Sequence, residues 1–275
     1  MSGALYPTAS GTKVFESSRI KVDYGNSRFG YMIVTCIGEQ TLSFKLRLSK
    51  DDRTVLFEMR GGSTDTIPFI FGSGKYDIEA FAKVQSPAYA RILKGSIDVQ
   101  LISPDIVFRY PNQKVNYTKH SLIVLDTENT LKKFNMQTES EKMTLMYNWI
   151  LNNFKYDTEL ARNVQPGYLP DPDRTLLTRK GICCDIAAMF AAMMRSQGIL
   201  CKYVTGWVTM PTGQTPYHAY NEVYIDGDAK FIDGMTVERN KWTRLDLTLG
   251  LDHKKIKNYV GFMKDKKNYQ DKNQY

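Results

Sequence analysis

Histidine is scarce in this chain, with three in 275 residues, and cysteine nearly as scarce, with four. Cys36, Cys183, Cys184 and Cys201 are unevenly spaced, which excludes a disulfide framework. They have no paired Cys-x-x-Cys spacing and no neighbouring histidine ligands, which excludes a zinc site. Long apolar runs are missing as well: no stretch reaches 18 residues, so no membrane-spanning helix is expected. The opening residues, "MSGALYPTASGTKVFESSRIKV", contain no apolar core of the kind a secretory leader needs. The expected compartment is therefore the cytoplasm, or the cell surface or exterior if a leader has been removed. No nucleic-acid recognition module accompanies the net charge of +8. Part of that charge is local, because residues 254–275 hold seven lysines and two aspartates. This basic tail reads as a solvated end, not a nucleic-acid contact.

What is present is an ordinary globular composition, 42% hydrophobic and 24% charged, long enough for two domains. The first third alternates. In "TLSFKLRLS" (41–49) the apolar Leu42, Phe44, Leu46 and Leu48 are separated by polar residues, the period of a half-buried strand. Residues 18–24 repeat the pattern with Ile20, Val22 and Tyr24. Further strands are expected over 31–36, 54–59, 68–71, 75–84, 89–93 and 97–102, divided by glycine turns at 61–62 and 72–74. Many short strands at this spacing predict an all-β sandwich, Ig-like, over residues 1–112. The expected second domain covers 113–275.

Past Tyr110-Pro111-Asn112 the character changes. A polar linker leads to "TESEKMTLMYNWILNNF" (138–154), where Thr138 and Glu141 form a capping box and Met143, Met146, Trp149, Ile150 and Phe154 share a helical face. A loop rich in Pro, Gly and Asp follows, then "KGICCDIAAMF" (180–190), whose helix is expected to end near Gly198. Strands are expected over 201–210, 218–227 and 230–234, the last two joined by the Asp226-Gly227 turn.

A thiol nucleophile needs a depressed pKa, a nearby base and a group that orients the base. Cys183 and Cys184 open a helix, where unpaired N–H groups and the helix dipole favour thiolate. Cys183 precedes Ile186 by three and Phe190 by seven, at the edge of the buried face. Cys184 points about 100° away and reads as a small buried apolar residue. Of the three histidines, His120 lies in the linker and His253 beside the tail, while His218 begins a strong strand whose face also carries Tyr220, Glu222 and Tyr224. Asp233 lies on the next expected strand, where a hairpin would set it beside His218. The expected order is Cys183, His218, Asp233.

The motifs "KGICCDIAAMFAAMMRSQGILCKYVTGW", "YHAYNEVYIDG" and "KFIDGMT" resemble the transglutaminase-like superfamily of papain-like cysteine enzymes over about residues 138–236, and "GYLPDPDRTL" is similar to its bacterial branch. That resemblance implies an α+β transglutaminase-like (papain-like) C-terminal domain with Cys183 as nucleophile, His218 as base and Asp233 as orienting acid. The family's usual His-Ala-Trp is His-Ala-Tyr here, and its Asp-Pro-Thr is Asp233-Gly234-Met235-Thr236. Tyr168, Trp207 and Tyr220 are the remaining oxyanion or cleft candidates, beside the backbone N–H of Cys183. Asp185, in the first turn, is read as serving the helix dipole. The expected chemistry is attack on an amide carbonyl through a thioester, without metal or organic cofactor. Hydrolysis of peptide or related amides in a peptide or protein substrate leads. Amine transfer is the alternative, and a non-catalytic binding or scaffold protein the third reading.

Overall fold

The alternation of the first third becomes eight strands in two sheets. The computed structural model describes residues 3–251 and 258–275. It divides into two units, Pro7–Val107 and the remainder, in which the chain up to Tyr6 joins Phe108–Tyr275. The first unit contains β1 (Val14–Glu16), β2 (Ile20–Asp23), β3 (Tyr31–Cys36), β4 (Ser43–Lys50), β5 (Arg53–Arg60), β6 (Thr64–Pro68), β7 (Gly74–Lys83) and β8 (Tyr89–Val99). Two four-stranded antiparallel sheets result, in the orders β1-β2-β3-β6 and β5-β4-β7-β8. Period-two burial is clean on β4 and β5, where Phe44, Leu46, Leu48, Val55, Phe57 and Met59 are buried.

Two strand expectations differ most from the structure. Residues 68–71 follow a strand instead of forming one, because β6 is a polar edge strand whose pairing with β3 is carried by backbone. The segments 89–93 and 97–102 merge into one strand that ends at Val99. Gly95 reads as a break, yet it sits mid-strand because a Cβ there would lie 2.6 Å from the Phe15 ring. A bulge between Ala80 and Phe81 also shifts the register against β8 and interrupts its alternation.

The second unit runs α1 (Leu122–Lys133), α2 (Glu139–Asn153), β9 (Lys155–Tyr156), α3 (Thr158–Asn163), α4 (Pro172–Thr178), β10 (Lys180–Gly181), α5 (Cys183–Ser196), β11 (Leu200–Val208), β12 (Tyr217–Tyr224), β13 (Ala229–Lys230), β14 (Thr236–Val237), β15 (Thr243–Leu245), α6 (Leu247–Leu251), α7 (Tyr259–Lys264) and β16 (Tyr269–Gln274). The capping box at Thr138 and Glu141 is formed in both directions. Ile186 through Met194 are all buried, so α5 has no solvent face and serves as the core around which the unit is assembled. It packs on β11 and β12, and α1, α2, α4 and α6 surround it.

The supposed polar linker contains α1, which buries Ile123, Thr127 and Leu131 at intervals of four. Its first amides, Leu122 and Ile123, donate to the Asp173 carboxylate, a stabilising anion at a helix N-terminus. The basic tail is not a solvated end over its described part. Its last strand, β16, joins the sheet in the order β15-β12-β11-β16. Backbone pairing with β11 needs no apolar side chains, so the polar "YQDKNQ" gives no strand signal. His253 and residues 254, 255 and 257 of the tail lie outside the described residues. Among those described, no helix is long and apolar enough to cross a membrane.

Candidate active site

The N-terminus of α5 is placed by the short parallel pairing of β10 with β9. Gly181 is required there, because a Cβ would meet the Asp185 side chain at 2.7 Å. Cys183 and Cys184 follow, both free and half-buried. Asp185, 1% exposed, closes the turn by accepting from the Ile182 N–H at 3.0 Å.

β12 brings His218 against this turn. It pairs with β11, with His218 opposite Gly206. No side chain fits at Gly206, since a Cβ would lie 2.2 Å from the Gln270 carbonyl on β16. The Ala219 backbone N–H and the His218 ring both act on Cys183 to favour its thiolate. The Cys183 thiol is held well below its ordinary pKa. A hydrogen bond from the Cys184 thiol is the largest cause, opposed by burial and reinforced by the His218 charge and hydrogen bond. Cys184 is driven upward by the same contact and by burial. It therefore stays protonated beside Cys183.

The carboxylate that orients His218 is Asp246, not Asp233. His218 Nε2 lies 2.9 Å from Asp246 Oδ2, which leaves Nδ1 as the ring atom for the thiol. Asp246 is 0% exposed. Its two oxygens also accept from the Tyr269 hydroxyl at 3.1 Å and the Leu249 N–H at 3.2 Å. Burial pushes His218 down, but Asp246 and then Cys183 outweigh it, and the imidazole is raised well above its ordinary value. A lowered thiol beside a raised imidazole favours a thiolate–imidazolium pair, and the buried Asp246 carboxylate stands against the ring.

Asp233 is displaced for a topological reason. The strand following β12 in sequence, β13, pairs with β14 and not with β12. The sheet neighbour of β12 is β15, with Asn221 opposite Leu245, and Asp246 is the next residue. Asp233 accepts from the Tyr147 hydroxyl at 2.7 Å and the Met235 N–H at 2.8 Å, fastening the turn after β13 onto α2. One signal for Asp246 was in the sequence. An aspartate between Leu245 and Leu247 has apolar neighbours on both sides, and a buried carboxylate requires a partner.

The remaining candidates separate. Tyr168 donates to Asp185 at 2.7 Å and is bonded by Arg174, so its hydroxyl is committed to the turn below the cysteines. Asp185 thus anchors a loop as well as serving the helix dipole. Tyr220 donates to Asp271, and its ring lies 6.2 Å from that of His218. Trp207, 44% exposed, meets Tyr217 edge-on and belongs to the cross-strand pair next to His218. The described residues contain no group of three or more His, Cys, Asp or Glu side chains that could hold a metal.

Comparison with known proteins matches residues 128–247, less than half of the chain, to the model of the transglutaminase-like superfamily. That span contains Cys183, His218, Asp233 and Asp246. A UPF0252 protein of Methanocaldococcus jannaschii is 26% identical over 110 residues, which are 36% of this chain and 31% of that protein. The chain therefore matches about a third of this curated relative's length. Among solved structures, a candidate cysteine protease from Cytophaga hutchinsonii is 14% identical with a TM-score of 0.43, the match covering 96% of this chain and 74% of the other. The periplasmic domain of TgpA from Pseudomonas aeruginosa, bound to ethylmercury, is 13% identical with a TM-score of 0.36, covering 88% and 99%.

Proposed function

We propose, from the match of residues 128–247 to the transglutaminase-like superfamily model, that the protein is a thiol enzyme that hydrolyses peptide or related amide bonds through Cys183, His218 and Asp246. The observation that carries this reading is the buried Asp246 carboxylate at 2.9 Å from His218 Nε2. The Cys183 thiolate attacks the amide carbonyl, and the His218 imidazolium gives its proton to the leaving amine. A thioester forms. Water then attacks the thioester while His218 takes its proton, and collapse of the adduct frees the acid and restores the thiolate. Asp246 holds the ring in one orientation and stabilises its charge throughout. The backbone N–H of Cys183, in the first turn of α5, has no intrahelical partner and is the oxyanion donor of this proposal. The half-buried position of Cys183 supports access by water.

The first unit is read as an Ig-like sandwich without chemistry of its own. Burial on alternate positions of both sheets supports this, as does the approach of the Phe15 ring on β1 to Gly95 on β8.

The test is iodoacetamide alkylation against pH, with the label located by mass spectrometry. Labelling is expected at Cys183, at pH values well below the free-thiol pKa of about 8.5, and is expected to weaken in His218→Ala. Slow, alkaline-only labelling shared equally by Cys183 and Cys184 would refute the reading. Adding a primary amine to the turnover assay then separates hydrolysis from amine transfer.

A further inference from the structure

Arg244 lies on β15 opposite Glu222 and so shares the sheet face that carries His218 and Tyr220. Its guanidinium sits over the Tyr269 ring at 4.1 Å and the Tyr220 ring at 5.3 Å, and its side chain is 14% exposed. For a group so far removed from water it is poorly satisfied. Nε is buried with no hydrogen-bond partner, and the Asp271 carboxylate stands 3.6 Å from Nη2, an ion pair without a hydrogen bond. Among the described residues, the guanidinium thus has two aromatic faces and one loose counter-charge.

Arg244 lines a cavity of about 550 Å³, bounded also by Trp242, Thr236, Lys264 and Lys266. Two carboxylates face the cavity, Glu222 and Glu238, and each already has a lysine, Lys202 at 3.0 Å and Lys241. Lys264 donates to the Thr236 hydroxyl at 3.2 Å, and neither it nor Lys266 has a carboxylate partner among the described residues. The cavity therefore has uncommitted positive charge around a pre-oriented fork. Carboxylates and phosphates satisfy such a fork with two parallel hydrogen bonds. Glu222, which lines the cavity, is four residues from His218 along β12. At the rise of a strand that is roughly 13 Å, the reach of about four residues of extended peptide.

We propose that this cavity is an oxyanion subsite that takes a carboxylate of the acyl-donor substrate, carried about four residues from the amide that Cys183 attacks. The inference rests on the thiol-enzyme reading above. It assigns an acidic peptide as the substrate class, with Arg244 as the specificity-determining residue and Lys264 and Lys266 adding charge.

The experiment measures protection of Cys183 from iodoacetamide in the full chain at low salt. Three blocked nonapeptides are compared, each with a central glutamine in a glycine background. One has glutamate four residues before the centre, one has glutamate four residues after it, and the third has glutamine at both of those positions. One glutamate peptide is expected to half-protect at a concentration at least tenfold below the neutral peptide. Arg244→Gln is expected to abolish that preference, and Lys266→Gln to reduce it. Lys266→Gln is the fallback if Arg244→Gln does not fold by circular dichroism. Equal protection by all three peptides, or a preference that survives both substitutions, overturns the proposal. Inorganic phosphate distinguishes the source of the anion. If it displaces the glutamate peptide, the oxyanion chemistry stands. If it binds at Arg244 while neither glutamate peptide does, the carboxylate assignment falls. The labelling rate without peptide reads the thiolate on its own. If Cys183 is unreactive, the enzyme reading fails separately. NMR titration with N-acetylglutamate, in wild type and Arg244→Gln, then still decides whether the cavity binds a carboxylate.

Discussion

Two aspartates follow short strands in the C-terminal half, and they do opposite things. Asp233 ends the β13 turn, with its oxygens on the Tyr147 hydroxyl and the Met235 amide. Asp246 ends β15, with its oxygens on the His218 ring, the Tyr269 hydroxyl and the Leu249 amide. One fastens a turn to a helix and the other lies against the His218 ring. Local sequence does not set the difference, since both sit beside apolar residues and both cap a turn. The sheet does. β15 is hydrogen-bonded to the strand that bears His218 and β13 is not. A residue's role here follows from which strand lies next to which.

The contrast is sharpest in Asp246→Asn. It keeps the shape but not the charge and allows the ring to adopt the wrong tautomer. Turnover is expected to fall by roughly 10²–10⁴, read as kcat with near-wild-type circular dichroism. A loss of less than threefold would remove Asp246 from the machinery. Asp233→Ala is expected to divide the other way. It strips a buried tyrosine of its acceptor, which costs about 1–3 kcal/mol. Thermal melting should register a drop of several degrees, while the pH profile of Cys183 alkylation stays in place. A moved profile would tie Asp233 to the thiol after all.

The smallest effect is expected from Cys184→Ala. The Cys184 thiol is the largest influence lowering Cys183, so its removal raises the Cys183 pKa. The productive ion pair exists above the Cys183 pKa and below that of His218. The acid limb of the alkylation and activity profiles therefore moves to higher pH, while the alkaline limb of activity, set by His218, stays. An unmoved acid limb would return Cys184 to the role of a packing residue.

The legible parts share one property: their cause is local. Alternation in 43–50 and 53–60 follows from burial of one sheet face. The capping box at Thr138 and the cysteines opening α5 follow from helix ends. The parts not legible have distant causes. The polar β16 finds its place by pairing with β11, some sixty residues earlier in the chain. Gly95 reads as a break because the ring that demands it, Phe15, lies on another strand.

By itself, then, the sequence determined a strand-rich first unit, a buried helix headed by two cysteines, and a histidine on the strand that meets it. Each is written in the spacing of neighbouring residues, which hydrophobic burial and helix termini translate directly into structure. Only the tertiary structure decided which carboxylate lies against the His218 ring, that Cys184 sits where it lowers Cys183, and that Arg244, with its Nε unpaired, lines a cavity. Those outcomes depend on strand order and on charges brought out of water beside one another, and neither is encoded at any fixed distance along the chain.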